Sequence, residues 1–140
     1  MQGGGMQRIL LDTSVYTAFK RNDPRVVALV QEADFIGINT VVVGELLAGF
    51  ICGTKNRENR KQFDQFLDSP RVSMLVVDDN TAEFYALAWK KLRDKGRPIP
   101  TNDIWVAASA MQHGLALATL DGHFQAVEGL LLEGIEGSVP

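Results

Sequence analysis

Arg8-Ile9-Leu10-Leu11-Asp12-Thr13-Ser14 is the stretch that decides the fold. Its short apolar run reads as a strand, and the Asp-Thr-Ser that follows supplies the side-chain oxygens that cap a helix start. A strand passing straight into a helix opens a β-α-β unit, and the transition recurs along the chain. Asp23-Pro24 punctuates, and Pro24 suits the first turn of a helix running to about Glu32. Phe35–Ile38 is a second strand, and Thr40 can cap a helix Val41–Ile51 that is apolar almost all round and so expected to be buried. Gly53 ends it. Lys55–Leu67 makes an amphipathic helix with Phe63, Phe66 and Leu67 inward. Val72–Val77 is a third strand, followed by Asp78 and Asp79 as caps, a helix to about Lys95, and Gly96 as its stop. Pro98 and Pro100 mark a loop, Thr101-Asn102 cap a helix Ile104–Gln112, and Gly114 stops it. Leu115–Ala118 is a fourth strand, and Leu130–Leu132 offers a short last one. Strands alternating with helices predict an α/β fold, a three-layer α/β/α sandwich around a central, mainly parallel sheet.

The chain has 140 residues, 46% apolar and 22% charged. That is one domain able to bury roughly two-thirds of its unfolded surface, without metals or disulfides as staples. We expect a single domain over residues 6–135 and a short tail at 136–140. Met1-Gln2-Gly3-Gly4-Gly5, ahead of a second Met-Gln, reads as a disordered leader or an alternative start. Neither Ile104–Leu120 nor Phe35–Cys52 reaches about 20 uninterrupted apolar residues, so no membrane span is expected. The lone Cys52 excludes an internal disulfide and a multi-cysteine zinc site; it suits a reducing cytoplasm and is expected in the core. A net charge of −3 argues against coating nucleic acid by bulk charge, but not against a local basic groove.

In parallel α/β sheets, ligands bind beyond the carboxyl ends of the strands, near the point where strand order reverses. Asp12 follows the first strand, Asp121 the fourth, Asp103 opens the helix before the fourth, and Glu45 lies one turn inside the helix after the second. Glu45 is the only charge among the 20 residues from Phe35 to Thr54. An unpaired carboxylate in such surroundings costs several kcal/mol. Four carboxylates about 5 Å apart repel by about 3 kcal/mol per pair at an effective dielectric near 20. No lysine or arginine lies within three residues of Glu45, Asp103 or Asp121. A hard divalent cation resolves the repulsion, and oxygen-only ligands favour Mg2+ or Mn2+ over zinc. The chemistry such a site supports is phosphodiester hydrolysis by an activated water. Three of the acids also have a plainer reading: Asp12 and Asp103 as helix caps or first-turn acids, Asp121-Gly122 as a turn.

Four stretches in order resemble one known family. They are Ile9-Leu10-Leu11-Asp12-Thr13-Ser14, Gly44-Glu45-Leu46-Leu47-Ala48-Gly49, Asn102-Asp103-Ile104-Trp105-Val106-Ala107-Ala108 and Ala118-Thr119-Leu120-Asp121-Gly122-His123-Phe124. Across about residues 6 to 135 the chain is similar to the PIN-domain nucleases, most of all to the VapC-type toxins of toxin–antitoxin pairs. The resemblance implies a cytoplasmic, Mg2+- or Mn2+-dependent endoribonuclease that stops translation by cutting RNA. It implies a homodimer silenced by a cognate antitoxin. It assigns Asp12, Glu45, Asp103 and Asp121 to the metal pocket and Thr13, Ser14, Asn102 and Thr119 to supporting positions. Related domains also process RNA or cut structured DNA, and a non-catalytic binding module with a residual acidic pocket is a further alternative. An aspartyl-nucleophile phosphatase would need Asp where Ser14 stands.

Two basic patches, one with Lys55, Arg57, Arg60 and Lys61 and the other with Lys90, Lys91, Arg93, Lys95 and Arg97, suit either phosphate contacts or solvated helix faces. Lys55, Arg57, Arg60, Lys95 and Arg97 are the candidates for RNA contact. His113 and His123 read as a helix end and a turn contact more readily than as general bases. Trp89 and Trp105 sit at core spacing, and Val15, Tyr16 and Phe19 suggest an exposed apolar stripe for a partner.

Overall fold

The computed structural model describes residues 6–135, so the readings of residues 1–5 and 136–140 lie outside it. The elements are β1 (Arg8–Leu11), α1 (Thr13–Lys20), α2 (Pro24–Glu32), β2 (Phe35–Asn39), α3 (Thr40–Cys52), α4 (Asn56–Leu67), β3 (Val72–Leu75), α5 (Asp79–Asp94), α6 (Thr101–His113), β4 (Ala116–Ala118), a 3-10 helix (Gly122–Ala126) and β5 (Leu132–Glu133). The sheet order is β3-β2-β1-β4-β5, and all four pairings are parallel. Right-handed crossovers carry α1 to α4 over one face as the chain steps from β1 out to β3. The return to β4 carries α5 and α6 over the other. Helices pack in sequential pairs, α1 with α2, α3 with α4 and α5 with α6. Both faces are therefore covered, which is why Ile9, Leu10, Leu11, Ile36, Ile38 and Leu117 are all fully buried.

Strand order reverses between β1 and β4. Leu11 is paired with Ala118 across that seam, and the backbone N–H of Asp12 donates to the Ala118 carbonyl at 3.2 Å. The chain leaves the sheet on both sides of this bond, the place where sheets of this kind open a crevice for a ligand. At the middle of β2, Gly37 lies where an added Cβ would meet Leu75 Cδ1 at 2.8 Å, Leu115 Cδ1 at 3.1 Å and Leu10 Cδ1 at 3.2 Å. Three leucines use the room its missing side chain leaves.

The structure corrects several local expectations. The cap of α3 is Asn39, whose Oδ1 accepts from Val41 N at 2.6 Å, not Thr40. Because β2 ends there, β3 loses its partner after Asn39↔Leu75, so Val76 and Val77 leave the sheet. The last strand falls at Leu132–Glu133, the residues in register with Leu117 and Ala118. Helix α3 is not buried all round. Val42 and Leu46 are inside, while Gly44, Gly49, Ile51 and Cys52 are exposed, because α3 lies along one side of the fold instead of through its centre. Cys52 is thus a surface thiol at the helix end rather than a core residue. Val15 and Tyr16 are buried, with Tyr16 edge-on to Phe63 and Phe66 and tilted against Phe19. The expected exposed stripe is therefore an internal aromatic cluster joining α1 to α4. Trp89 is 43% exposed with Arg93 over its ring, and Trp105 stacks on Tyr85 at 4.0 Å.

Candidate functional site

Asp12 is the N-cap of α1 and is only 6% exposed. Its Oδ1 accepts from Val15 N at 3.0 Å and from Ser14 Oγ at 2.6 Å, and its Oδ2 accepts from the Thr119 hydroxyl. Those hydroxyls also bind the loop beyond β4: Ser14 Oγ accepts from Leu120 N at 3.1 Å, and Thr119 Oγ1 accepts from Asp121 N at 2.9 Å. Two side chains thereby fasten that loop to the start of α1. Burial pushes the Asp12 carboxyl above its ordinary value; the bonds from Ser14, Thr119 and Val15 pull it down, and the charge of Asp121 pushes it up again.

Glu45 arrives from α3, one turn inside the helix. It accepts from Thr13 Oγ1 at 2.6 Å and from the Asn102 side-chain amide, so α1, α3 and α6 meet at one carboxylate. This use of Asn102 explains a failed expectation. Helix α6 starts at Thr101 with Pro100 as its N-cap and has no side-chain cap bond. The amide expected to cap the helix is turned to Glu45 instead. One residue on, the Asp103 side chain is 18% exposed. Burial raises its carboxyl pKa first, then the negative charges of Asp121 and Glu45, while His123 opposes them. Asp121 caps the 3-10 helix by accepting from His123 N at 2.9 Å.

Hydrogen bonds bring the four acids expected from the sequence near one another: Asp12 accepts from Thr119, whose hydroxyl accepts from Asp121 N, and Glu45 accepts from Asn102, the neighbour of Asp103. The charge of Asp121 acts on Asp12 and Asp103, and that of Glu45 on Asp103. Thr13, Ser14, Asn102 and Thr119 each donate to one of them. Among the described residues, Asp103, Asp121 and His123 form a group whose ligand atoms lie within 4.8 Å of one another. Sequence reasoning leaves His123 a turn contact. The signal for more is its place two residues after an acid at a turn. The donor set, carboxylate oxygens with one imidazole, fits a divalent cation, and like charges raising Asp103 are what such a cation offsets.

The basic candidates divide. Arg97 lines a groove of about 400 Å³ with Pro98, Ile99, Asp121, Gly122, His123 and Ala126, next to the acids. Lys95 is engaged: its Nζ donates to the Ala126 carbonyl at 2.8 Å and lies 3.9 Å from Glu128. Arg57 and Arg60 line a different groove with Leu47, Ile51 and Asn56, and Arg60 pairs with Asp64 at 3.2 Å. Lys55 is exposed just before α4, and His113 is exposed at the end of α6. No helix among the described residues is long and apolar enough to cross a membrane.

Residues 9–130 match the family model described as the PIN domain. The chain is 31% identical over 124 residues to Ribonuclease VapC4 of Mycobacterium tuberculosis, covering 87% of this chain and 92% of that protein. A solved structure of VapBC-5 from the same organism, described as a member of the VapBC family of toxin-antitoxin systems, aligns with a TM-score of 0.69 and 29% identity over 90% of this chain and 95% of that one. VapBC2 from Rickettsia felis, solved bound to a DNA fragment from its promoter, shares the fold with a TM-score of 0.81 at 23% identity, over 93% and 100% of the two chains. An acid-lined seam in a 3-2-1-4-5 parallel sheet, a family match across most of the chain and a ribonuclease relative of nearly the same length agree: the protein belongs to the PIN-domain family, in the group that holds the VapC ribonucleases.

Proposed function

We propose that this protein is a metal-dependent endoribonuclease, the toxin of a toxin–antitoxin pair, acting on RNA in the cytoplasm. The observation that carries the reading is the ligand group Asp103, Asp121 and His123, with Asp12 and Glu45 linked to it through Thr119 and Asn102, in a chain 31% identical to a named ribonuclease. Asp103 and Asp121, with Asp12 and Glu45 beside them, would hold Mg2+ or Mn2+. Such an ion supplies a water of lowered pKa and neutralises charge on the phosphate oxygens. The chain's own residues do the rest. Ser14 and Thr119 fix Asp12, while Thr13 and Asn102 fix Glu45, so neither carboxylate must be ordered when substrate arrives. Arg97, on the groove that leads from Asp121 and His123, offers its guanidinium to an RNA phosphate.

An antitoxin and a second copy of the chain are the proposed protein partners. Support for the first is that a solved neighbour 29% identical to this chain is described as a member of the VapBC family of toxin-antitoxin systems. Exposed Phe84 and Leu87 on α5 and Ile51 on α3 leave apolar surface for either. The test is cleavage of total cellular RNA by the purified chain, alone and with Mg2+ or Mn2+. Discrete cuts that need the ion and vanish in Asp103→Asn support the reading; full cleavage in excess chelator, or unchanged cleavage by Asp103→Asn, overturns it.

A further inference from the structure

His123 stands where a ligand would. Its Nδ1 is 3.0 Å from Asp121 Oδ1 and 3.5 Å from Asp103 Oδ2. Atoms bound at about 2.1 Å to one centre and at right angles to each other are about 3 Å apart, so the 3.0 Å ion-pair distance to Asp121 is also that of two neighbouring ligands, while the 3.5 Å to Asp103 would have to shorten on binding. The ring is held on a short, fixed turn. Its own backbone N–H is bonded to Asp121 Oδ1 at 2.9 Å, and the next residue, Phe124, is buried in the core. The His123 backbone is therefore tied to the Asp121 carboxylate. Among the described residues, the ion-pair partner of Asp103 and Asp121 is this imidazole and not a lysine or an arginine.

We propose that His123 is itself a metal ligand, completing the set begun by Asp103 and Asp121, and that it tilts the site from Mg2+ toward first-row transition ions. The proposal rests on the metal-site reading above. Mg2+ takes oxygen ligands and gives up water reluctantly, so a nitrogen donor adds little for it. First-row divalent ions gain from nitrogen, increasingly from Mn2+ to Co2+. An all-carboxylate site would make that distinction less sharply.

The test compares the full chain with His123→Ala, titrated by calorimetry with Mg2+, Mn2+ and Co2+ in turn. The ring is 55% exposed, so the variant should fold, which its melting curve checks. Loss of the imidazole should weaken Co2+ binding about tenfold or more and leave Mg2+ within about twofold. Pulsed electron paramagnetic resonance on bound Mn2+ should detect a directly coordinated imidazole nitrogen in the natural chain and none in the variant. Absence of that coupling in the natural chain, or equal weakening of Mg2+ and Co2+, overturns the role of His123. If Asp103→Asn still abolishes binding in that case, the metal site itself stands. If the natural chain binds no Mn2+ at all, both readings fall.

Discussion

Replacing Asp12 with asparagine separates the two things this residue does. The carboxylate is 6% exposed and accepts from three donors, yet burial still holds its pKa above the ordinary value. The site therefore favours a neutral group there, net of the hydrogen bonds. Asparagine has the same shape and keeps an acceptor for Val15 N and Ser14 Oγ. Thr119 Oγ1, which now donates to Asp12, can turn to accept from the new amide while its second lone pair keeps Asp121 N. The metal-free variant should accordingly be more stable than the natural chain at pH 7. For 140 residues, each 1 kcal/mol moves the melting temperature by about 3–4 °C. Added metal should act the other way. At about 100 times its dissociation constant, Mn2+ adds about 2.7 kcal/mol to the natural chain, or about 9 °C, and close to nothing to the variant. Scanning calorimetry of both proteins, in excess chelator and then in excess Mn2+, reads all four values. A variant less stable than the natural chain in chelator would refute the claim that the buried charge is under-compensated. A variant that still gains the full metal shift would refute the assignment of Asp12 to the site.

The raised pKa values of Asp12 and Asp103 fix a sign for pH dependence. Below those values and above the ordinary 3.8, the folded chain binds more protons than the unfolded one, so their contribution to metal-free stability rises as pH falls from neutral toward about 4. Asp23, Asp78 and Asp94, held low by hydrogen-bonded partners, lose theirs only below that range. Denaturant midpoints in chelator, followed from pH 8 down to pH 4, should climb once the pH falls into the range of the raised values in the natural chain, and climb less in Asp12→Asn; parallel curves would count against this. Asn102→Ala removes one of the two donors on Glu45 and should cost about 1.5 kcal/mol in urea unfolding together with a loss of cleavage, whereas wild-type rates would free Glu45 of any role. Arg97→Gln should weaken RNA binding and lower the salt slope by about one unit, while Lys95→Met, whose ammonium is already bonded to Ala126, should leave that slope nearly unchanged. Gly37→Val drives a branched side chain into Leu10, Leu75 and Leu115 and should destabilise the fold by about 1–3 kcal/mol, read as a drop in urea midpoint.

Much of the architecture is open to reading because its signals are local. The apolar run of β1 ends at a capping aspartate, Pro24 begins α2, and Gly114, at φ 64°, ends α6 in the left-handed conformation glycine adopts freely. What fails is also physical. Apolar composition in α3 suggests burial, but a helix on the flank of a sheet covers one side only, and Cys52 follows it to the surface. Tyr16 and Phe19 look available to a partner because nothing in α1 says that Phe63 and Phe66, far along the chain, will pack against them.

Sequence alone determined which residues carry charge in apolar surroundings, and so that Asp12, Glu45, Asp103 and Asp121 needed a common explanation. Tertiary structure decided how they divide the work. Donors on α1, on α6 and after β4 occupy Asp12 and Glu45, while Asp103 and Asp121 share the approach to His123. It also tied Lys95 to a carbonyl and left Arg97 at the groove. The reason is that hydrogen bonds form between atoms brought within about 3 Å, and between residues so far apart in the chain only tertiary packing sets those distances: the pairing of β1 with β4 for Asp12, and the packing of α3 against α1 and α6 for Glu45.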